Sequence, residues 1–445
     1  MNRRRNLLVV LAHGLRSDAL APSTSWPLAT PNLDRLVKRS LRLVATTACP
    51  GDWGGLLSLL SALHARQHGH VAETKKLPRC SGWAGLLAEE GYHLSGAGCV
   101  GPIHRLLKDS VLVEPVHVIN SRRCAYLQAA GAGGRKAAVL RQRKQRLRSG
   151  PFDPDRLPID PDNDVDGFIA QAATDMLANQ PGDRPWAQVV IFTGPGNDLP
   201  PPAMYDNVVE PDDLNGQFVP ADFRQIDALA ELDYPRVMLQ RLDRKRIGRL
   251  RADYLGRVGL FDYCIGRMLN QLAQRGDAER TWVIICSDHG QLLGEHGLVG
   301  HRSFLSGATE VPVIITPPTS APQEVPDWLI GTVDVAATIA DLGGCDLPPW
   351  LAGRSLLPIL AGDSIAARHL GCISEFGKRL MLETERYKII FDTDVHRMLG
   401  LYDLLRDAEE KTNLLDKPEG RHLVDAMRWR VGDALLPIRA VPAPI

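Results

Sequence analysis

Short apolar runs alternate with amphipathic patterns along most of the chain. Four runs are almost continuously apolar, which is typical of strands buried on both faces of a parallel sheet. They lie at residues 7–11, 188–192, 282–286 and 311–316. Residues 251–275 instead place apolar side chains at steps of three and four, which predicts an amphipathic helix. Pro31, in Thr30-Pro31-Asn32, suits the first turn of another helix. The alternation predicts an α/β doubly wound, mostly parallel sheet flanked by helices.

The pattern changes after Gly362. Residues 388–391 and 401–404 have the character of short strands in a small antiparallel sheet, and residues 420–435 carry a helical pattern. We therefore predict two domains, a large α/β domain at 1–362 and a small α+β domain at 363–445. A basic and proline-rich insertion at about 116–165 interrupts the first of them.

The basic part of this insertion, residues 135–148, contains Lys and Arg but no acid. It has two interpretations, an anion- or RNA-binding patch or a solvated helix beside a loop. Lys plus Arg and Asp plus Glu both number 52 over the whole chain. This balance favours the solvated helix, and no nucleic-acid partner is expected.

Composition and length describe a globular protein with more than one core. The chain has 445 residues, of which 44% are hydrophobic and 23% charged. Its eight cysteines are scattered without CxxC or metal-finger spacing, so we expect reduced thiols. Arg3, Arg4 and Arg5 before the apolar residues 7–12 resemble a signal peptide, but His13 and Arg16 follow without a cleavage site. A buried first strand, no membrane span and a cytoplasmic location are therefore expected.

A polar motif closes the third apolar run. The string SDHGQLLGEHG at residues 287–297 places Asp288 and His289 at the carboxyl end of a predicted strand, where open α/β sheets bind ligands. It closely resembles the SDHGxxxGEHG motif of the sulfatase family, in the alkaline-phosphatase superfamily. Further segments resemble this family in the same order: LRSDAL at 15–20, TPNLDRL at 30–36, SLLS at 58–61, EVPVI at 310–314, GRSLLP at 353–358 and TERYK at 384–388.

This resemblance implies a sulfatase-like fold over nearly the whole chain. It also implies a divalent cation, usually Ca²⁺, a formylglycine nucleophile matured from cysteine or serine, and cationic side chains around the sulfate. Most of these residues are replaced here. His13 and Gly14 stand where paired aspartates are expected, and Asp52 occupies the nucleophile position. Cys49 lies three residues too early for maturation, so no formylglycine is expected.

The remaining family positions have also lost their charge. The arginine after the nucleophile falls on Leu56, and the Lys and His of the family's GKWH segment fall on Cys99 and Gly101. A histidine of another loop falls near Gly196, and the last lysine falls on His301. Each lost cation would cost the family mechanism several kcal/mol. We therefore expect neither aryl sulfates nor simple alkyl sulfates to be hydrolysed at a useful rate.

The replacements leave two main hypotheses. The preferred one is a pseudo-sulfatase that keeps the fold as a binding module for an unknown ligand or protein. The alternative is a rebuilt metal-dependent hydrolase that acts on a sulfate or phosphate ester. In the alternative, His13, Asp52, Asp288 and His289 bind the metal, and His301 lies within reach as a substrate contact. Two to three imidazoles with two carboxylates suit Zn²⁺ better than Ca²⁺.

The two hypotheses differ in the geometry that they predict. Metal binding requires the side chains of His13, Asp288 and His289 to converge within roughly 3–5 Å, whereas a decayed pocket does not. A misplaced alignment that hides a working site remains a third possibility. The string GAGCVG at 96–101 also matches GxGxxG, but the helix expected after it is too short for a dinucleotide site.

Overall fold

The structure is a computed structural model that describes residues 4–20, 26–51, 53–69, 82–98, 117–118, 160–196, 200–214, 236–319, 328–362 and 369–440. Several sequence predictions therefore fall outside the described residues. These are the position of Asp52, the basic segment 135–148, most of the insertion, and residues 99–101 of the glycine-rich string. The limits of the two predicted domains stay predictions.

An eight-stranded sheet and a small two-stranded ribbon form the first part of the described chain. Their strands are β1 (Asn6–His13), β2 (Leu41–Thr46), β3 (His93–Gly98), β4 (His117–Val118), β5 (Trp186–Pro195), β6 (Thr281–Ser287), β7 (Leu292–Leu293), β8 (Val299–Gly300), β9 (Glu310–Thr316) and β10 (Ile330–Gly331). The order in the large sheet is β10-β2-β9-β6-β1-β5-β3-β4, and β7 pairs with β8.

The large sheet is mixed but mostly parallel, as the sequence predicts. Its exception is β9, which runs antiparallel to both of its neighbours, β2 and β6. The prediction of a buried strand at 311–316 is therefore confirmed, but the parallel direction suggested by its apolar run is wrong. Burial on both faces produces the same apolar pattern whichever way a strand runs, so sequence alone does not reveal its direction.

Helices cover both faces of this sheet. The α-helices in the described residues are α1 (Pro31–Val37), α2 (Gly54–Ser61), α3 (Ala65–His68), α4 (Gly82–Glu89), α5 (Val165–Ala178), α6 (Arg236–Leu239), α7 (Arg244–Gln274), α8 (Ser306–Thr309), α9 (Thr332–Leu342), α10 (Leu357–Leu360), α11 (Pro418–Arg421) and α12 (Val424–Ala440). The predicted helix at 251–275 belongs to α7, which begins earlier because the Asp243 carboxylate caps it at the N–H of Arg246.

The pattern of β1 explains why two helical layers form. Leu8 and Val10 join one apolar core with α5 and α7, whereas Leu7, Val9 and Leu11 join a second core with α2, α4 and α9. Alternate side chains of a strand point to opposite faces, so a continuous apolar run requires cover on both sides.

A four-stranded antiparallel sheet follows, as the sequence predicts. It consists of β11 (Cys372–Phe376), β12 (Arg379–Glu383), β13 (Tyr387–Asp392) and β14 (Arg397–Asp403) in that order. Helix α12 packs on it through Met427 and Val431. The N–H of Glu375 donates to the carbonyl oxygen of Ala48, which joins this sheet to the edge of the large sheet. No helix within the described ranges has both the length and the apolar character to span a membrane.

Candidate functional site

The register between β1 and β6 brings two functional side chains together. The strands are parallel and pair Ala12 with Ser287, so His13 and Asp288 leave the sheet side by side at its carboxyl edge. The N–H of Asp288 donates to the carbonyl oxygen of Ala12 at 3.2 Å. Strand pairing alone therefore fixes how close these two residues are.

His13, Asp288 and His289 form one compact cluster. Each offers a ligand atom, and the three atoms lie within 4.8 Å of one another. His13 Nδ1 lies 2.7 Å from Asp288 Oδ2, and His289 Nε2 lies 3.7 Å from Asp288 Oδ1. The side chain of His13 is 28% exposed, whereas those of Asp288 and His289 are 2% and 0% exposed. The cluster is thus buried on two sides and open to solvent at His13.

The protonation state of His289 follows from its hydrogen bond. Its Nδ1 lies 2.7 Å from the carbonyl oxygen of Gly290, which can only accept, so Nδ1 carries the proton. Burial first, and then the imidazoles of His301 and His13, lower the pKa of His289 to about 3 against the effect of Asp288. Its Nε2 is therefore an unprotonated lone pair. Among the described residues this buried atom has no hydrogen-bond partner.

The Asp288 carboxylate is held in its charged form. Burial opposes ionisation, but the adjacent imidazoles of His13 and His289 outweigh it and hold the pKa of Asp288 below its usual value. Backbone donors reinforce this effect, because Oδ1 accepts the N–H of Gly14 at 3.2 Å and that of His289 at 2.8 Å. A carboxylate thus lies between two imidazoles.

His301 reaches the cluster as a stacked ring. Its centroid lies 4.2 Å from that of His289, with 12° between the ring planes, and 6.1 Å from that of His13. Metal bonds lie in the plane of an imidazole, so two rings stacked face to face do not direct their nitrogens at one point. His301 accordingly covers the outer face of His289 and is not one of the three clustered ligands.

Two glycines, Gly14 and Gly196, pack against each other beside the cluster. A Cβ on Gly14 would lie 2.6 Å from the Cα of Gly196, and one on Gly196 would lie 2.8 Å from the Cα of Gly14. Gly14 also has a φ of +74°, a conformation that favours glycine. These positions correspond to an aspartate and, approximately, a histidine in the family resemblance. Neither can regain a side chain unless the backbone moves.

Gln291 is a site residue that the sequence analysis missed. Its Oε1 lies 3.5 Å from the position of a Cβ on Gly14 and 3.2 Å from that on Gly196, so it lies beside the paired glycines. This oxygen is buried and has no hydrogen-bond partner in the described part of the chain. The sequence shows that Gln291 follows Asp288 and His289 in the SDHGQ string. Its position beside Gly14 and Gly196 depends on the contact between two distant loops, which the sequence does not show.

The loop after β2 passes behind the cluster. The Thr47 hydroxyl donates to the carbonyl oxygen of Asp288, and a Cβ on Gly55 would lie only 2.3 Å from that oxygen. The start of α2 therefore packs against the backbone of Asp288. Asp52 precedes this helix but lies outside the described residues, so its predicted role stays a prediction. Cys49 is buried, and its Sγ accepts the N–H of Gly51 at 3.4 Å.

Arg16, in the LRSDAL segment, lies three residues after His13 in the chain. Its guanidinium has a structural role. Its guanidinium pairs with Asp18 at 2.7 Å and with Glu295 at 2.7 Å, and it donates to the carbonyl oxygen of Gln291. Burial opposes its charge, but Glu295 and Asp18 raise the pKa of Arg16 well above its usual value. The LRSDAL and GEHG segments are thereby tied together.

The donor set fits a transition-metal ion. Bonds of about 2.0–2.1 Å in a tetrahedral zinc site put neighbouring ligand atoms about 3.3 Å apart. The separations of 2.7 Å from His13 to Asp288 Oδ2 and 3.7 Å from His289 to Asp288 Oδ1 lie on either side of this value, and all three ligand atoms lie within 4.8 Å of one another. The lone pair on His289 Nε2 is the observation that decides the fit, because it is fixed, buried and unpartnered among the described residues.

Comparison with known proteins assigns the family. The sequence model of the Sulfatase family matches residues 5–345, more than three-quarters of the chain. The chain belongs to the sulfatase family. A second model, N-sulphoglucosamine sulphohydrolase, C-terminal, matches residues 294–434 of this sulfatase-family chain.

Individual relatives are distant. The chain is 26% identical to choline-sulfatase from Rhizobium meliloti (strain 1021) over 277 residues, 58% of this chain and only about half (52%) of that protein. It is 21% identical to arylsulfatase from Clostridium perfringens (strain 13 / Type A), covering 95% of this chain and 92% of that protein. The structure of phosphonate monoester hydrolase from Silicibacter pomeroyi is similar with a TM-score of 0.77 and 20% identity, covering 98% and 95% of the two chains. At this identity the likeness supports the fold alone.

Proposed function

We propose that this sulfatase-family chain is a metal-dependent hydrolase of sulfate or phosphate esters that works without formylglycine. The observation that carries the proposal is the Nε2 of His289, which has no hydrogen-bond partner among the described residues and lies beside the Asp288 carboxylate and His13. A decayed pocket predicts unrelated partners for these residues. The hydrolase hypothesis predicts their convergence, and the described geometry agrees with it.

Zinc or a similar first-row ion is the metal that we infer. Two imidazoles and one carboxylate are typical ligands of Zn²⁺ in catalytic sites, whereas Ca²⁺ takes six or more oxygens. When bound, such an ion supplies Lewis-acid activation of water or of the ester oxygen. The protein residues would hold it at His289 Nε2, Asp288 and His13.

His13 controls the proton balance of the site. Its Nδ1 shares a proton with Asp288 Oδ2 at 2.7 Å, and a bound metal would take the place of that proton. Because metal ligands must be unprotonated, metal binding should weaken as the pH falls. The exposed edge of His13 faces solvent, so a substrate can approach the cluster from this side.

The substrate class rests on charge and on relatives. With a divalent ion bound, one carboxylate and two imidazole ligands leave the site positive, which suits an anionic ester. The names of similar proteins include choline-sulfatase and arylsulfatase, which act on sulfate esters. Because the cations that serve sulfate hydrolysis in this family are absent, we expect a phosphate ester to react faster than a sulfate ester.

A binding module without turnover is the second candidate. It is favoured by the paired glycines, which leave no room for the aspartate and histidine of the family at Gly14 and Gly196. Such a module would bind an anionic ester through the same metal but would not hydrolyse it.

Assays of metal-free and zinc-loaded protein separate these candidates. We expect zinc-loaded protein to hydrolyse para-nitrophenyl phosphate or bis(para-nitrophenyl) phosphate, with less turnover of para-nitrophenyl sulfate. Asp288→Asn should abolish this activity, and the matched change Asp341→Asn, on α9 away from the cluster, should not. Zinc-dependent binding of phosphate without turnover favours the module. If zinc-loaded protein shows neither phosphate binding nor turnover, both candidates are wrong.

A further inference from the structure

A cavity lies between the edge of the large sheet and the C-terminal sheet. It has a volume of about 640 Å³, within the usual range for small-molecule sites. Its walls come from the start of α9, from β11 and β12, and from α12. None of the residues His13, Asp288, His289 and Gln291 lines it.

The inner wall carries a fixed aspartate–histidine pair. Asp334 is buried, and its Oδ2 lies 3.0 Å from His369 Nε2. The same carboxylate accepts the N–H groups of Gly331 and Arg354, each at 2.7 Å. Three donors thus surround Asp334, which reduces its repulsion of a negatively charged ligand. His369 is held with its side chain 19% exposed at the cavity wall.

Outside the Asp334–His369 pair, the described part of the wall carries the guanidinium groups of Arg354 and Arg430 and one further carboxylate, Asp433. With Asp334 included, the two cations and two carboxylates balance, but the oxygens of Asp334 are already occupied by three donors. Burial lowers the pKa of His64 to about 4 and raises that of the Cys372 thiol well above its usual value, so both are neutral near pH 7.

The remaining wall is apolar. Val333, Ile373 and Leu382 line it, and Leu370 stands at the rim with 91% of its surface exposed. Leu370 thus offers apolar surface that a ligand in the cavity can cover. The cavity therefore combines an apolar surface with two guanidinium groups.

We propose that this cavity binds a small organic anion with an apolar body, at a site separate from the His13, Asp288 and His289 cluster. The acidic group lies towards Arg430, Arg354 and His369, and the apolar body packs against Leu370 and Leu382. The site does not depend on metal binding or hydrolysis, because the two sites have no residue in common.

The probe for this site is anilinonaphthalene sulfonate, whose fluorescence rises in apolar surroundings. Its sulfonate is attached through carbon, so ester hydrolysis cannot consume it. We expect saturable binding of one probe per chain. Arg430→Glu should weaken binding about fivefold or more, the loss typical of one partly exposed charge contact. Arg428→Glu changes the same charge on the same helix outside the cavity and should leave binding unchanged.

A second pair of variants tests the apolar contact. Leu370→Asn should weaken binding, whereas Leu405→Asn, an exposed leucine away from the cavity, should not. Asp288→Asn should bind the probe like the wild type, so this result is independent of the proposed hydrolysis. Absence of saturable binding, or equal losses in Arg430→Glu and Arg428→Glu, would overturn the proposal.

Discussion

Two buried polar clusters in this protein look alike in composition but differ in what they can bind. Arg257 on α7 pairs with Asp164 and Asp166, each at 2.6 Å, and all three side chains are at most 6% exposed. The site cluster of His13, Asp288 and His289 contains no guanidinium or ammonium group. One cluster supplies its own cation, which occupies both carboxylates, and the other leaves a carboxylate and a nitrogen lone pair available to a cation.

The type of unpartnered atom separates the clusters most clearly. Arg257 Nε and His289 Nε2 are both buried without a hydrogen-bond partner among the described residues. Arg257 Nε is an N–H donor and cannot bind a metal, whereas His289 Nε2 is a lone pair. Convergence of polar residues is thus weak evidence for a site, and the chemistry of the unpartnered atom is strong evidence.

Removing the cation of the Arg257 cluster should have the largest effect, on the free energy of unfolding. Arg257→Met leaves two buried carboxylates without a partner and should lower the free energy of unfolding by about 3–5 kcal/mol. Urea denaturation measures this change. Arg249→Met on the same helix removes two more exposed ion pairs, with Asp206 and Asp253, and should cost less than about 2 kcal/mol in total. Equal losses in both variants would contradict a structural role for the buried cluster.

The next effect concerns the glycines that close the site cluster. Gly14→Asp restores the acidic residue of the family, but its φ is +74° and its Cβ meets Gly196. It should lower the free energy of unfolding by about 1–3 kcal/mol and should not raise activity. Gly91→Asp is the control, because Gly91 has a φ of +82° and no atom within 4 Å of its Cβ. A stable and more active Gly14→Asp protein would show that the site is decayed and not rebuilt.

A smaller effect concerns the pKa of a buried imidazole and its contribution to stability. The pKa of His64 is lowered to about 4, mainly by burial, below the usual value of about 6.5. Between these two pH values the unfolded chain binds a proton that the folded chain does not, so stability falls as the pH falls. His64→Phe should remove about 1–2 kcal/mol of the stability lost between about pH 7 and pH 5. Urea denaturation of wild type and His64→Phe at both pH values measures this change, and an unchanged pH dependence in the variant would contradict it.

The sequence predicted the parts of this protein that depend on local patterns. Strand β6 and the Asp288-His289 pair at its end follow from one apolar run and the string after it, and His13 follows from the end of β1. The contact between Gly14 and Gly196 joins two loops about 180 residues apart in the chain, and neither glycine has a pattern that reveals it. The partners of Arg257 on α5 and the pairing of His369 with Asp334 likewise depend on tertiary packing.

A zinc titration in competition with a chelator tests the central claim most directly. The account predicts that wild-type protein binds one zinc per chain. His289→Phe keeps an aromatic ring against His301 but loses Nε2. Its affinity for zinc should fall by more than about 100-fold, which exceeds the usual effect of changing a residue that only contacts a metal ligand. His301→Phe should stay within about tenfold of the wild type. Wild-type protein that binds no zinc, or His289→Phe protein that binds it equally well, would contradict the account.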